Sequence, residues 1–355
     1  MAIQWCDDFK SYGSTPAYMV NGLYSSVSAN LVTDPDPTAS GKVIQLGTVS
    51  FFDSVRKALS TPRATVGVCS RLWLSTLPGS GSNPCLIRFN DGANVVHVSI
   101  AVTSTGVIQA WRGTQTFSTG TLLGSSSGPV VVANAWQHIE AKVLISDTVG
   151  TVEVRVNGVT VLNLTNQDTG NSADLTVAQI VLAASSRGDL ATQDVTAHFK
   201  DFVIWDSTGA QNNNFLGSVI VTSLIPDGDD TNTWARSSGT VSNTLINESD
   251  PNDTNYISDA FPAAAKQVNT LSDLPANVTS VKALMPLTRA ANSDGGTGNI
   301  KTGLVSGATS GLGADKSLTS AFSYYFDIFE LDPNTSTAWT PSTANAAKIS
   351  FTRTA

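Results

Sequence analysis

Three aspartates crowd the segment PDGDDTNTW: Asp227, Asp229 and Asp230. Carboxylate oxygens are what a hard Ca2+ ion prefers, so this is a candidate calcium loop, to which the NESDPND run of Asn247 to Asp253 would add ligands if it folds alongside. The segment lacks the twelve-residue EF-hand spacing and its terminal Glu, and Asp-Gly in a tight turn accounts for the same residues without a metal.

Acid/base hydrolysis of a sugar needs two carboxyls held roughly 5 to 10 Å apart, which on a strand means Asp or Glu at i, i+2 or i, i+4. The chain has four Glu, at 140, 153, 248 and 330. Glu140 and Glu153 stand singly on separate strand-like runs, and the neighbour of Glu153 is Arg155, a same-face ion-pair partner. Glu330 and Asp332 in FELDP have the i, i+2 spacing, but Asp332-Pro333 begins a turn. His97, His138 and His198 lie inside strand-like runs and read as structural, and no GxGxxG, Walker loop or HExxH occurs. The chemistry-bearing residues therefore argue against an enzyme. Among the tryptophans, Trp136, Trp205, Trp234 and Trp339 are core or rim candidates, and any exposed ones would stack on sugar rings.

The elements that must position these residues are strands. TVEVRVNGVTVLNLT (Thr151 to Thr165) alternates Val152, Val154 and Val156 against Glu153 and Arg155, and Asn157-Gly158 supplies the two positive-φ positions of a hairpin turn. WQHIEAKVLIS precedes it, so a three-strand antiparallel meander spans Trp136 to Leu164. Further strands are predicted at Ala64 to Leu74, Cys85 to Phe89, Val95 to Val102, Val107 to Arg112, Ile180 to Ala184 and Thr196 to Trp205, with Gly/Ser-rich breaks such as LPGSGSNP and LLGSSSGP between them. FLGSVIVTSLIP reads as a closing strand of the same sandwich. Helical pattern is confined to one turn each at VRKAL (Val55 to Leu59) and LSDLP (Leu271 to Pro275).

At about 150 residues per domain, 355 residues predict two. Polar DSTGAQNNNF marks a loop or linker, and beyond Pro226 long Asn/Asp/Gly loops such as NSDGGTGN separate apolar runs at Ser280 to Leu287, Ile300 to Val305 and Phe322 to Glu330. The expected architecture is all-β: two antiparallel β-sandwiches in series, the larger over residues 1–225 and a smaller β-sandwich with long loops over 226–355. Charged residues make up only 14% of the chain, and the net charge of −8 with no basic cluster argues against nucleic acid. No apolar run approaches a membrane span and Met1 to Lys10 does not read as a signal peptide, so the chain is expected to fold where it is made or to leave by lysis. Cys6, Cys69 and Cys85, odd in number and widely spaced, read as small buried apolar residues.

DDFKSYG, AWQHIEAKVLIS, GTVEVRVNGVTVLNLT and HFKDFVIWD together resemble the laminin-G or concanavalin-type sandwich of bacteriophage structural proteins, which implies a concanavalin/laminin-G-like jelly roll over residues 1–225. FLGSVIVTSLIPDGDDTNTW, NESDPNDTNYIS and DPNTSTAWTPSTANA are similar to a pattern of tail, fibre and head-associated proteins of tailed phages. The resemblance implies a non-enzymatic virion component, homo-oligomeric, whose partners are other virion proteins and a host-surface glycan. The alternatives are a carbohydrate-binding lectin and a polysaccharide depolymerase, which a glycan array and reducing-sugar release would tell apart.

Overall fold

The computed structural model describes residues 1–39, 41–47, 53–113, 120–185, 195–260, 266–293 and 298–354. Residues 294–297 of the expected NSDGGTGN loop lie outside them. The chain divides into two units, Met1–Val20 with Tyr24–Val221, and Asn21–Leu23 with Thr222–Ala355.

The first unit contains β1 (Ile3–Asp7), β2 (Ser26–Ser28), β3 (Asn30–Thr33), β4 (Lys42–Leu46), β5 (Ser54–Arg63), β6 (Thr65–Leu74), β7 (Cys85–Asn90) and β8 (Val96–Val102). It continues through β9 (Ile108–Arg112), β10 (Thr121–Ser125), β11 (Gln137–Leu144), β12 (Gly150–Val156), β13 (Val159–Gln167), β14 (Val177–Ser185) and β15 (Ala197–Asp206). They form two antiparallel sheets. The first runs β13-β12-β11-β6-β15-β4-β3, with β1 beside β15, and the second runs β10-β9-β8-β7-β14-β5-β2. This is the expected sandwich.

Period-two alternation sets the faces. Val152, Val154 and Val156 pair with Val143, Ala141 and Ile139, and all are at most 5% exposed. Asn157 (φ 51°) and Gly158 (φ 81°) make the predicted turn. On the opposite face, Trp205 lies across β6 at Gly67, where an added Cβ would sit 2.2 Å from the indole ring, so no larger residue fits. Strand β15 carries a register shift between Lys200 and Val203 beside Asp201, whose φ is 55°. The extra residue changes which side the strand's alternate positions face.

Two expectations are corrected here. VRKAL is part of strand β5, because Val55 and Lys57 face the core across from Leu182 and Ile180 while Arg56 faces outward, a two-residue period that overrides local helix propensity. FLGSVIVTSLIP is an irregular connector up to Ile225. Its backbone bonds to carboxylates in place of a strand partner: Leu216 and Gly217 N–H donate to Glu140 Oε1 (3.0 and 3.1 Å), and Val221 N–H donates to Asp201 Oδ1 (2.9 Å).

The second unit contains β16 (Pro226–Thr231), β17 (Ala235–Arg236), β18 (Ile257–Ser258), β19 (Lys266–Leu271), β20 (Leu287–Ala290), β21 (Asn299–Ser306), β22 (Thr309–Leu312), β23 (Lys316–Ser317), β24 (Ser323–Phe326) and β25 (Lys348–Arg353). One sheet runs β16-β19-β25-β21-β22 with β23 on β21, and β17-β18 and β20-β24 form two-stranded ribbons. Trp234, Ile300, Ile349 and Phe351 make one buried cluster, and Leu304, Trp339, Ala344 and Ala347 another. LSDLP is not helical; the single turn of α-helix is α1 (Pro341–Asn345), set by Thr340, whose hydroxyl accepts from Thr343 N–H, and by Pro341 at its first position.

Candidate functional site

The second sheet of the first unit carries a row of residues on the side opposite its core row. Arg56 on β5, Val181 on β14, Arg88 on β7, Ser99 on β8, Trp111 on β9 and Leu122 on β10 are successive cross-strand partners. One residue along each strand, Val55, Leu182, Ile87, Ile100 and Ala110 form the buried inner row, at most 1% exposed, and the row beginning with Arg56 points to the other side of the sheet, where Val181 and Ser99 are also 0% exposed. Beside it, Gln179 on β14 pairs with Asn90 on β7. On the other side Gln109 accepts at Oε1 from Trp111 Nε1 and from Asn83 Nδ2, both at 3.2 Å.

Several polar atoms here are buried without a hydrogen-bond partner: Arg56 Nε, Asn90 Oδ1 and Gln179 Oε1. Asn90 is 2% exposed. Leaving such groups unpaired costs roughly 1 to 3 kcal/mol each, and a structure retains them where something else completes them. Arg56 holds one local contact, Nη1 to Asn94 Oδ1 at 2.8 Å. Burial holds the Arg88 guanidinium below its ordinary value; the Cys85 side chain opposes this, and the like charge of Arg56 adds to it. None of the row residues, nor Gln179, Asn90 or Gln109, is a carboxylate. The face thus offers the Arg56 guanidinium, two primary amides and a half-buried indole, a set suited to binding a polar ligand.

The residues singled out in the sequence go elsewhere. Asp227 Oδ1 accepts from Thr270 Oγ1 (2.6 Å). Asp229 accepts from the Ser242 and Asn243 amides and from Asn269 Nδ2, each at 2.8 Å. Asp230 Oδ1 takes Lys348 Nζ at 2.5 Å, which holds its carboxyl below the usual range. The three carboxylates are thus engaged by separate sets of protein partners, and among the described residues no group of three His, Cys, Asp or Glu is brought together that could hold a metal ion. Asp332 Oδ1 caps its own turn at Asn334 N–H (2.8 Å). Glu140, 0% exposed, is the anchor of the connector, and burial raises its carboxyl above the ordinary value against the pull of those two amides. His97 Nδ1 accepts from the Asn171 amide at 3.1 Å, and His198 Nε2 lies 3.1 Å from Gln45 Nε2. His138 is buried and pushed down to about 4, by burial first and then by Arg71. The spacing Gly-x-Ser-x-Gly does occur once, at Gly124 to Gly128, but Ser126 Oγ is bonded to Ile108 N–H and Gly128 C=O and no helix follows it as a nucleophile elbow requires.

Of the tryptophans named from sequence, Trp234 and Trp339 lie in the second unit's clusters and Trp205 packs on Phe215. Trp136 neighbours Trp73, ring centroids 5.9 Å apart, but its Nε1 donates to Asp34 Oδ1 (2.9 Å) and its ring carries Lys200, itself bonded to Asp34 Oδ2 (2.6 Å). That cluster completes its own contacts. Trp111, Arg56 and Arg88 escaped the sequence reading. The legible signal was an arginine flanked by apolar residues in a strand, as in LIRFN, a signal SVRKA lacks because Lys57 follows Arg56.

No family model matches the chain, and no curated protein matches it. Among solved structures, it is similar to alginate lyase Aly36B (14% identity, TM-score 0.40, covering 58% of this chain and 96% of that one). It is also similar to the cellulose-induced protein Cip1 (16%, 0.39, covering 56% and 96%) and to the carbohydrate-binding module CBM66 from Bacillus subtilis (10%, 0.32, covering 52% and 96%). A sialidase matches at 16% identity and a TM-score of 0.36 over 57% of this chain, which spans 18% of that protein's length. Likenesses at this level say nothing about site or activity.

Proposed function

We propose that the first unit is a non-catalytic carbohydrate-binding module whose binding surface is the outward face of the second sheet. The observation that carries this is the row that holds Arg56 and Trp111, with the unpaired amide oxygens of Asn90 and Gln179 beside it. Sugars are bound by planar amides and guanidiniums that reach vicinal hydroxyls and by an indole against which a ring's C–H face packs. The carboxylate-free composition of the face supports binding without hydrolysis, since hydrolysis needs an acid and a base across the glycosidic bond.

Titration of the whole chain on a glycan array tests this, with Trp111→Ala alongside. Binding that drops at least tenfold in Trp111→Ala, with no reducing ends and no unsaturated products released, supports the module. Absence of binding to every glycan overturns it, and product release overturns the non-catalytic part. The order of the phage-like segments quoted above supports placing this module on a virion, where it would grip a host-surface glycan. Mass spectrometry of purified particles tests that placement, and absence of the chain from them removes it.

A further inference from the structure

We propose that the first unit carries a second sugar site, on the outward face of its first sheet, where Trp73 is the platform for a neutral pyranose and His138 bonds its hydroxyls. The inference goes beyond the second-sheet reading and can fail while that reading stands.

Strand register brings four residues of the first sheet to one side. Trp73 and Arg71 are two apart on β6, and His138 on β11 is the direct cross-strand partner of Arg71. Trp136 lies two residues before His138, and its ring centroid is 5.9 Å from that of Trp73 at an interplanar angle of 59°. The other side of the same strands is core, where Leu72, Leu74 and Ile139 are at most 2% exposed.

Two of the four are fixed by neighbours. Trp136 is held through its Nε1 by Asp34 and through its ring by Lys200. Arg71 Nε stands 3.3 Å from Asp201 Oδ2. Each cation of the group therefore has its own carboxylate, Lys200 with Asp34 and Arg71 with Asp201, and an ionic ligand would find no unbalanced charge to neutralise.

Trp73 and His138 are not committed in this way. Trp73 is half-buried and braced by Trp136. His138 is 4% exposed, yet neither Nδ1 nor Nε2 has a hydrogen-bond partner. Burial first, and then the Arg71 charge, pushes this histidine down to about 4, so at neutral pH one ring nitrogen is a donor and the other an acceptor. A ligand that completes the ring must accept at one nitrogen and donate at the other. A carboxylate only accepts and an ammonium only donates, whereas hydroxyl groups do both. A pyranose carries such hydroxyls around a C–H face that packs on an indole. The two proposed sites lie on opposite outward faces of the sandwich, so one short oligosaccharide cannot fill both. A dense glycan surface engages both, and losing either tryptophan lowers binding to it.

The test titrates the full chain with cellohexaose, mannohexaose and chitohexaose in a calorimeter, beside Trp73→Ala, Trp111→Ala and the double variant. Expected for at least one probe are two hexasaccharides per chain, one in each single variant and none in the double. His138→Leu, which keeps an apolar body without either nitrogen, should weaken the Trp73-dependent site at least tenfold with the melting temperature held within a few degrees, and it serves as the check if Trp73→Ala does not fold. One hexasaccharide per chain, lost in Trp111→Ala and indifferent to Trp73→Ala and His138→Leu, overturns the second site and leaves the module in place. One per chain, lost in Trp73→Ala and indifferent to Trp111→Ala, supports this site and overturns the second-sheet reading. A Trp73-dependent site unchanged by His138→Leu overturns the recognition argued from the imidazole. No binding of the three probes, with another glycan bound on the array through Trp111, overturns the inference alone; no glycan bound at all overturns both readings.

Discussion

Replacing Glu140 with alanine should loosen the chain that leaves the first unit. Glu140 is 0% exposed and its Oε1 accepts from both the Leu216 and the Gly217 amides. In Glu140→Ala both amides lose their acceptor at a site where Leu216 is 8% exposed. A buried N–H left unpaired costs about 1 to 3 kcal/mol, so the pair costs about 2 to 6 kcal/mol, a large part of the roughly 5 to 15 kcal/mol that holds a domain folded. Glu140→Gln keeps an oxygen acceptor and sheds a charge that burial already disfavours, so its loss should stay under about 1.5 kcal/mol. Urea denaturation followed by tryptophan fluorescence gives the stabilities, and amide hydrogen exchange at residues 216 and 217 localises the effect. If Glu140→Ala is as stable as wild type, or if those two amides stay as protected as before, the carboxylate does not hold the connector and the reasoning fails.

Val154→Asp should abolish soluble folding, because Val154 is 0% exposed between Ala141 and Leu162 and its replacement would bury an unpaired charge, whereas Glu153→Gln on the outward face should cost under about 1 kcal/mol; soluble yield and circular dichroism decide. Asp7, gripped by Tyr12 and Tyr24 hydroxyls at 2.7 and 2.6 Å, is pushed up by burial to about 7, and burial pushes Lys57, 3.6 Å from the Trp5 ring centroid, down to about 7. The stabilising share of Asp7 is complete below about pH 4 and is lost as pH rises through 7; that of Lys57 is complete above about pH 10 and is lost as pH falls through 7. Stability from this pair should therefore fall from pH 4 to 7 by up to roughly 1 kcal/mol per unit and recover from 7 to 10, with the acid limb absent from Asp7→Asn in paired denaturation curves. Asp229→Ala should destabilise the second unit by about 2 to 6 kcal/mol by stranding the Ser242 and Asn243 amides, and excess EDTA should leave the wild-type melting temperature unchanged; a drop with EDTA would show that a metal does hold that loop.

The strands of the first unit were legible where one face is apolar and the other polar, as in TVEVRVNG, or where a buried run ends at turn residues, as in TVGVCSRLWL. Two kinds of feature were not. FLGSVIVTSLIP has the letters of a strand, but its amides find carboxylates at Glu140 and Asp201, partners 76 and 20 residues away that no local period reports. VRKAL has one helical turn's worth of good formers, and its strand character comes from pairing with β14 more than a hundred residues on. The candidate face was hidden for the same reason: Arg56, Arg88 and Trp111 are far apart in sequence and become neighbours only through the cross-strand order. The aspartates of PDGDDTNTW were conspicuous because they are adjacent, and adjacency is what a carboxylate that braces a nearby turn also produces. Asp229 belongs to such a brace: Asn269 links it to Gln267, whose Oε1 accepts the Thr233 and Trp234 amides beneath the second unit's core.

The left-handed residue in β15 has an implication for how this chain can vary. Upstream of Asp201, His198 and Lys200 sit on the outer side; downstream, Val203 and Trp205 do, so even and odd numbering exchange roles within one strand. A deletion of that single residue would not shorten the strand harmlessly. It would bring both halves into one phase and turn one of them inside out, driving either a lysine into the hydrocarbon interior or Phe202 away from its stack with Phe9. Length is therefore a constrained quantity at this point of the chain, and related sequences should vary in composition here long before they vary in count.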